Sequence, residues 1–180
     1  MVIAINAVMF VAEMVGGQLA DSRALQADAL DFLGDTLTYG LSLAVIGRGL
    51  RLRASAAMFK ALTLLVMGLG VAFATLWSFF VLNQPAAPVM GSLAVAALAA
   101  NLASLALLAA YRHGDANVRS VWLCSRNDAF GNIAVMAAAG AVWLSGSPWP
   151  DLVVALLMAS LFVNSAVKIF RQALAEWRTV

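Results

Sequence analysis

Ala27-Asp28-Ala29-Leu30-Asp31-Phe32-Leu33-Gly34-Asp35 sets three carboxylates at the head of an apolar run that continues through Leu41-Ser42-Leu43-Ala44-Val45-Ile46. The fold follows from what those acids demand. An ionised carboxylate at the depth of a bilayer is costly, so each requires a cation, a proton or a polar partner. On a helix, Asp31 and Asp35 are offset by about 40° and about 6 Å and share one face. Two oxygen donors at that spacing suit a divalent cation.

Composition sets the surroundings. The chain has 180 residues, of which 63% are hydrophobic and 11% charged, and its mean hydropathy is +0.92. A water-soluble domain of this size could not solvate that surface, so the chain reads as an integral membrane protein. A single cysteine, Cys124, excludes an intramolecular disulfide and a Cys-rich zinc module. His113 is the sole histidine, which excludes a His-rich metal-binding loop. No Walker loop or dinucleotide fingerprint is present, so neither ATP-driven pumping nor nucleotide redox chemistry is indicated. Nothing points to nucleic acid. The first twenty residues lack a basic leader and carry Asn6 and Glu13 within the apolar part, so they read as a retained first helix rather than a signal peptide.

Six apolar segments are each near the ~20 residues needed to span hydrocarbon. They run over about 1–17, 24–47, 54–82, 88–111, 118–144 and 151–170. The expected architecture is an all-α bundle of six transmembrane helices, residues 1–170, with a short tail at 171–180. Asn83 to Pro88 and Ser145 to Pro150 break the pattern. With six spans both termini share a side. Arg48, Arg51, Arg53, Lys60, Arg112, Arg119, Lys168, Arg171 and Arg178 fall on it, against Arg23 alone opposite. The positive-inside rule puts both termini in the cytoplasm, as expected for the inner membrane of a cell. Runs of alanine in the fourth and fifth segments favour close helix packing.

The fifth segment holds Cys124-Ser125-Arg126-Asn127-Asp128, in which Cys124 and Asp128 are again four apart on one face. Asp35 lies about 16 Å along its helix from one membrane face, and Asp128 about 15 Å along its own from the other. Both pairs therefore reach the middle of a ~30 Å core. Asp31, Asp35, Cys124 and Asp128 then form a candidate tetrahedral set of three carboxylates and one thiolate, which fits Zn²⁺ or Cd²⁺ better than Ca²⁺. Asn132, four residues beyond Asp128, is an alternative fourth donor. Asn6, Glu13, Asp28 and Asn127 are candidates for the approach path or for supporting the ligands. The competing reading gives the acids only helix-to-helix hydrogen bonds.

The stretch from Asn6 to Gly17, followed by Ser22-Arg23-Ala24-Leu25-Gln26-Ala27-Asp28-Ala29-Leu30-Asp31-Phe32-Leu33-Gly34-Asp35, resembles the first two helices of the cation diffusion facilitator family. The family's second-helix motif, His or Asp, three residues, Asp, falls on Asp31 and Asp35. Asp128-Ala129-Phe130-Gly131-Asn132 looks like the continuation of its fifth-helix motif, which sets Cys124 where a histidine usually stands. The resemblance covers the six-helix domain. It implies a homodimer that exports divalent metal from the cytoplasm in exchange for protons, without a prosthetic group. The tail at 171–180 is expected to stand in place of the family's C-terminal cytoplasmic domain, so a dimer is expected to rest on membrane helices. Three carboxylates crowded in a low dielectric cannot all stay ionised, so at least one is expected to hold a proton when no metal is bound. The alternative from another class is a non-transporting assembly subunit whose acids serve packing. A metalloenzyme is disfavoured, because the donors are used up as ligands and no base remains.

Overall fold

The computed structural model describes residues 1–45, 47–81, 84–109 and 116–178, without the side chains of 42, 50 and 116–127. Six helices follow in order: α1 (Val2–Leu19), α2 (Arg23–Val45), α3 (Leu50–Val81), α4 (Ala87–Leu108), α5 (Ala116–Ser145) and α6 (Trp149–Arg178). There is no strand among the described residues. Five of the helices are long and apolar enough to cross a membrane on composition alone. The exception is α2, which bears Arg23, Asp28, Asp31 and Asp35.

Its position explains how it is tolerated. α2 touches α1, α3, α4, α5 and α6, so every other helix packs against it. The acid-bearing helix is the axis of the bundle and the apolar helices are its sleeve. The exterior is correspondingly oily, with Phe80 87% and Trp143 73% exposed, while Glu13 is 0% exposed and Asn6, Asp28, Asn101 and Asn132 are buried. That inversion of the soluble pattern is what a hydrocarbon surround selects, since lipid solvates leucine as well as another helix does.

Small residues let the helices close in. One core joins Ala24, Leu25 and Ala27 of α2 to Met90 and Ala94 of α4, Val135, Ala138 and Ala139 of α5, and Ala155, Met158 and Ala159 of α6. The most extensive contact is between α3 and α6. A Cβ on Gly68 would stand 3.0 Å from Phe162 Cβ, 3.1 Å from Val163 Cγ2 and 3.2 Å from the Ala159 carbonyl oxygen. Glycine is therefore needed at this crossing for space.

The connections α1–α2, α3–α4 and α5–α6 gather at one end, here the far end. Ser22, which precedes α2, accepts from the Leu25 N–H at 3.0 Å and donates to Asp151 Oδ1 at 2.6 Å. Asp151 also accepts from the Arg23 N–H at 2.8 Å and the Ala24 N–H at 3.1 Å. A carboxylate at the start of α6 thus caps the N-terminus of α2, where unpaired N–H groups favour an anion. Arg23 Nε donates to Ser78 Oγ of α3 at 2.7 Å, and the Ala86 N–H donates to the Ala20 carbonyl at 2.8 Å. The far end is stitched across five helices.

At the end holding the termini, two boundaries differ from the sequence expectation. α3 starts at Leu50, a turn before 54, and α6 continues past Phe170 to Arg178. Arg51, Arg53 and Arg171 sit on exposed faces of these extensions. Arg178 in the last turn of α6 complements the helix dipole. At about 48 Å, the 32 residues of α3 exceed a ~30 Å core, so its basic first turns have room outside hydrocarbon.

Gly68→Ala is expected to destabilise the bundle by about 1–3 kcal/mol through overpacking. At about 2–4 °C per kcal/mol, thermal unfolding in detergent should show it. Gly70→Ala on the same helix meets nothing within 4 Å and should leave the transition in place.

Candidate metal centre

Asp31 and Asp35 are one turn apart on α2 and face α5, which carries Asp128. The Asp128 carboxyl is within hydrogen-bonding reach of both Asp31 and Asp35. All three are half-buried and line a cavity of about 620 Å³ between α2, α3, α5 and α6. Along α6 the cavity runs from Val154, one turn past Asp151, to Ile169. That is about 22 Å of helix rise toward the end with the termini. Its walls are mainly apolar (Leu64, Phe130, Met158, Phe162), with polar side chains at the acids and at Thr38, Lys60, Ser160 and Ser165.

Gly34, between the two α2 acids, gives α3 access. A Cβ there would stand 3.2 Å from Leu64 Cδ2. Leu64 seats at this level, and Lys60, one turn nearer the end with the termini, joins Thr38 in the cavity wall.

Asp35 is held in place. Tyr39 Oη donates to its Oδ2 at 2.6 Å and Asn6 Nδ2 donates to the same oxygen at 3.4 Å. Both bonds engage one oxygen and leave Oδ1 toward the other acids or a cation. Asn6 is thus brought to the centre through Asp35. Tyr39 was not among the sequence candidates, although its spacing of four from Asp35 on the same helical face was the available signal.

Glu13 and Asp28 come together elsewhere. Both are fully buried, their carboxyl groups meet between α1 and α2, and neither lines the cavity. The sequence offered them as candidates for the approach path or for supporting the ligands, and the structure sets them apart from this cavity. The reason is rotational: α1 lies against the side of α2 away from α3, and the short Ala20–Asp21 turn fixes that pairing. Asp28 also lies near α5, since a Cβ on Gly131 would be 4.0 Å from its Oδ1. Asn132 is fully buried, has no hydrogen-bond partner among the described residues and does not line the cavity. Asn132 thus stands apart from the cavity that Asp128 lines. Cys124 and Asn127 lie on α5, but their side chains fall outside the described residues.

Two carboxyl groups in contact cannot both carry a full charge unless a proton or a cation stands between them. Here one carboxyl meets two. The donor set is hard, anionic and open to a cavity, which is chemistry for a cation. Among the described residues no three His, Cys, Asp or Glu side chains are already set in coordinating geometry. The acids converge without forming a finished shell.

A family model described as the cation efflux transmembrane domain matches residues 1–176. Similar curated proteins include the metal cation efflux system protein CzcD of Cupriavidus metallidurans, 30% identical over 173 residues, covering 87% of this chain and 53% of that protein. The zinc transporter ZitB of Escherichia coli is 30% identical over 189 residues, covering 96% of this chain and 59% of that protein. Zinc transporter ZitB of Pectobacterium atrosepticum is 28% identical over 188 residues, covering 96% and 58%. The chain thus spans between half and three-fifths of the length of these relatives.

Outer partners that orient a metal ligand typically contribute about 10–100-fold to affinity. With Asp35 read as a ligand, Tyr39→Phe is expected to weaken Cd²⁺ binding by about tenfold at unchanged helicity, as read by calorimetric titration of the detergent-solubilised protein.

Proposed function

The chain belongs to the cation efflux family, a family of transporters rather than enzymes, and from that premise we propose that it carries a divalent metal cation out of the cytoplasm in exchange for protons. The observation that carries this reading is the meeting of Asp128 with Asp31 and Asp35 inside a cavity of an otherwise apolar multi-pass membrane bundle. Asp31, Asp35 and Asp128 supply oxygen ligands, and Cys124, four residues before Asp128, supplies a thiolate. That mixed set favours Zn²⁺ or Cd²⁺, with Fe²⁺, Mn²⁺ and Co²⁺ admitted by the carboxylates. The similarity to zinc transporters supports the same choice.

Direction follows from charge and from the cavity. The basic residues cluster at the end holding the termini, which puts that end in the cytoplasm of the inner membrane. The cavity extends from the acids toward the same end, while the Ser22–Asp151 network closes the other. Metal therefore reaches Asp31, Asp35 and Asp128 from the cytoplasm in this conformation. Release requires the far-end network to part and the cavity to close, a rocking of helix groups about the site. Protons arriving from outside take the carboxylate oxygens that the metal leaves, because metal and proton compete for the same lone pairs. The working unit in this reading is a homodimer.

In proteoliposomes carrying a pH gradient, Asp35→Asn and Asp128→Asn are each expected to reduce Zn²⁺ flux by more than the ~10–100-fold that loss of an outer partner costs. Unchanged flux in correctly folded variants would show that the acids serve packing alone, and dissipating the gradient should stop transport if protons are the counter-ion. Cys124→Ser replaces a soft donor by a hard one and should move preference from Cd²⁺ toward Mn²⁺. An ion ranking identical to that of the parent protein would remove Cys124 from the ligand set.

A further inference from the structure

The cavity that holds Asp31, Asp35 and Asp128 is also lined by Lys60, the sole basic residue in its wall among the described residues. A lysine near a membrane interface ordinarily turns its ammonium out toward water. Lys60 stands about 15 Å along α3 from Leu50, well inside the helix. Its register against α2 is fixed by packing. Leu64 seats over Gly34, between the two acids, and Lys60 follows one turn away beside Thr38, itself one turn below Asp35. The half-buried Lys60 engages other groups in the protein, and its charge acts on both Asp31 and Asp35.

We propose that Lys60 is a fixed charge of the metal site that matches it to divalent rather than trivalent cations. The inference rests on the reading of Asp31, Asp35 and Asp128 as the ligands. Each ionised ligand, the Cys124 thiolate included, draws a trivalent ion more strongly than a divalent one, and the ammonium offsets one of those negative charges. Without the ammonium the site carries one more uncompensated negative charge and rewards an ion of higher valence. The energy of a cation in the field of Lys60 scales with the cation's own charge, so the ammonium opposes a trivalent ion half as much again as a divalent one. The effect is a property of charge and place. Arginine at the same position would preserve it, and a neutral side chain of similar length would abolish it.

The test compares Cd²⁺ with Tb³⁺ by competition binding to the detergent-solubilised full chain, in the parent protein and in Lys60→Met, Lys60→Gln and Lys60→Arg. The affinity ratio of Tb³⁺ to Cd²⁺ is expected to rise at least about tenfold in Lys60→Met and Lys60→Gln and to stay within about threefold in Lys60→Arg. Damage to packing weakens both ions together and leaves the ratio alone, so a merely structural lysine gives no such change. A constant ratio in whichever neutral variant folds, by elution and helicity, overturns the proposal. Asp35→Asn is measured alongside. If it binds Cd²⁺ as the parent does, the assignment of the ligands fails. If it loses Cd²⁺ while the neutral Lys60 variants keep the parent ratio, only the role of Lys60 fails.

Discussion

Every feature of this bundle answers to the cost of holding carboxylates at a depth where no water solvates them. α2 alone carries Asp28, Asp31 and Asp35, and it is the helix that all the others touch. The remaining helices turn aromatic and branched side chains outward and keep Asn6, Glu13, Asn101 and Asn132 inside. In water the hydrophobic effect would bury the apolar groups. In lipid it does not discriminate between helix and solvent, and the polar atoms become the groups that must be hidden. Alanine and glycine at the contacts then allow the backbones to approach, as at Gly68 against α6.

The acids are accommodated in two ways. Glu13 and Asp28 are sealed against each other between α1 and α2. Asp31, Asp35 and Asp128 face a cavity, with Tyr39 and Asn6 bonded to one oxygen of Asp35 and Lys60 in the same wall. The buried pair stays off the cavity, and neither oxygen of Glu13 has a hydrogen-bond donor among the described residues. A cavity-facing set with a nearby fixed charge is suited to exchanging one cation for another. The stripe on α2 thus divides within a single turn, between Asp28 and Asp31, according to which neighbouring helix each acid meets.

The two ends of the bundle are held unequally. At the far end Asp151 gathers Ser22 and two N–H groups of α2, and Arg23 reaches Ser78, so α2, α3 and α6 are tied by directional bonds. Toward the termini the cavity opens beside α2, while α3 and α6 stay packed through Leu64, Phe162 and Ala166. In the proposed transport cycle the far-end closure has to be made of bonds that can be broken and remade. Hydrogen bonds to a buried carboxylate have that character, because each is strong in place and none is covalent.

The sequence by itself determined the all-helical class, the helix count, the breaks near Pro85 and Pro148, and the pairing of Asp31 with Asp35, because a bilayer's thickness and the 3.6-residue turn leave few alternatives. It also set Asp35 and Asp128 at one depth, since depth is only a count of residues from each membrane face. Rotation about each helix axis was beyond it. Which side of α2 meets α1 and which meets α5 depends on small residues packing across helices far apart in the chain. Only the tertiary structure therefore took Glu13 and Asp28 off the cavity wall, turned Asn132 away from it, and brought in Tyr39, Lys60 and Asp151.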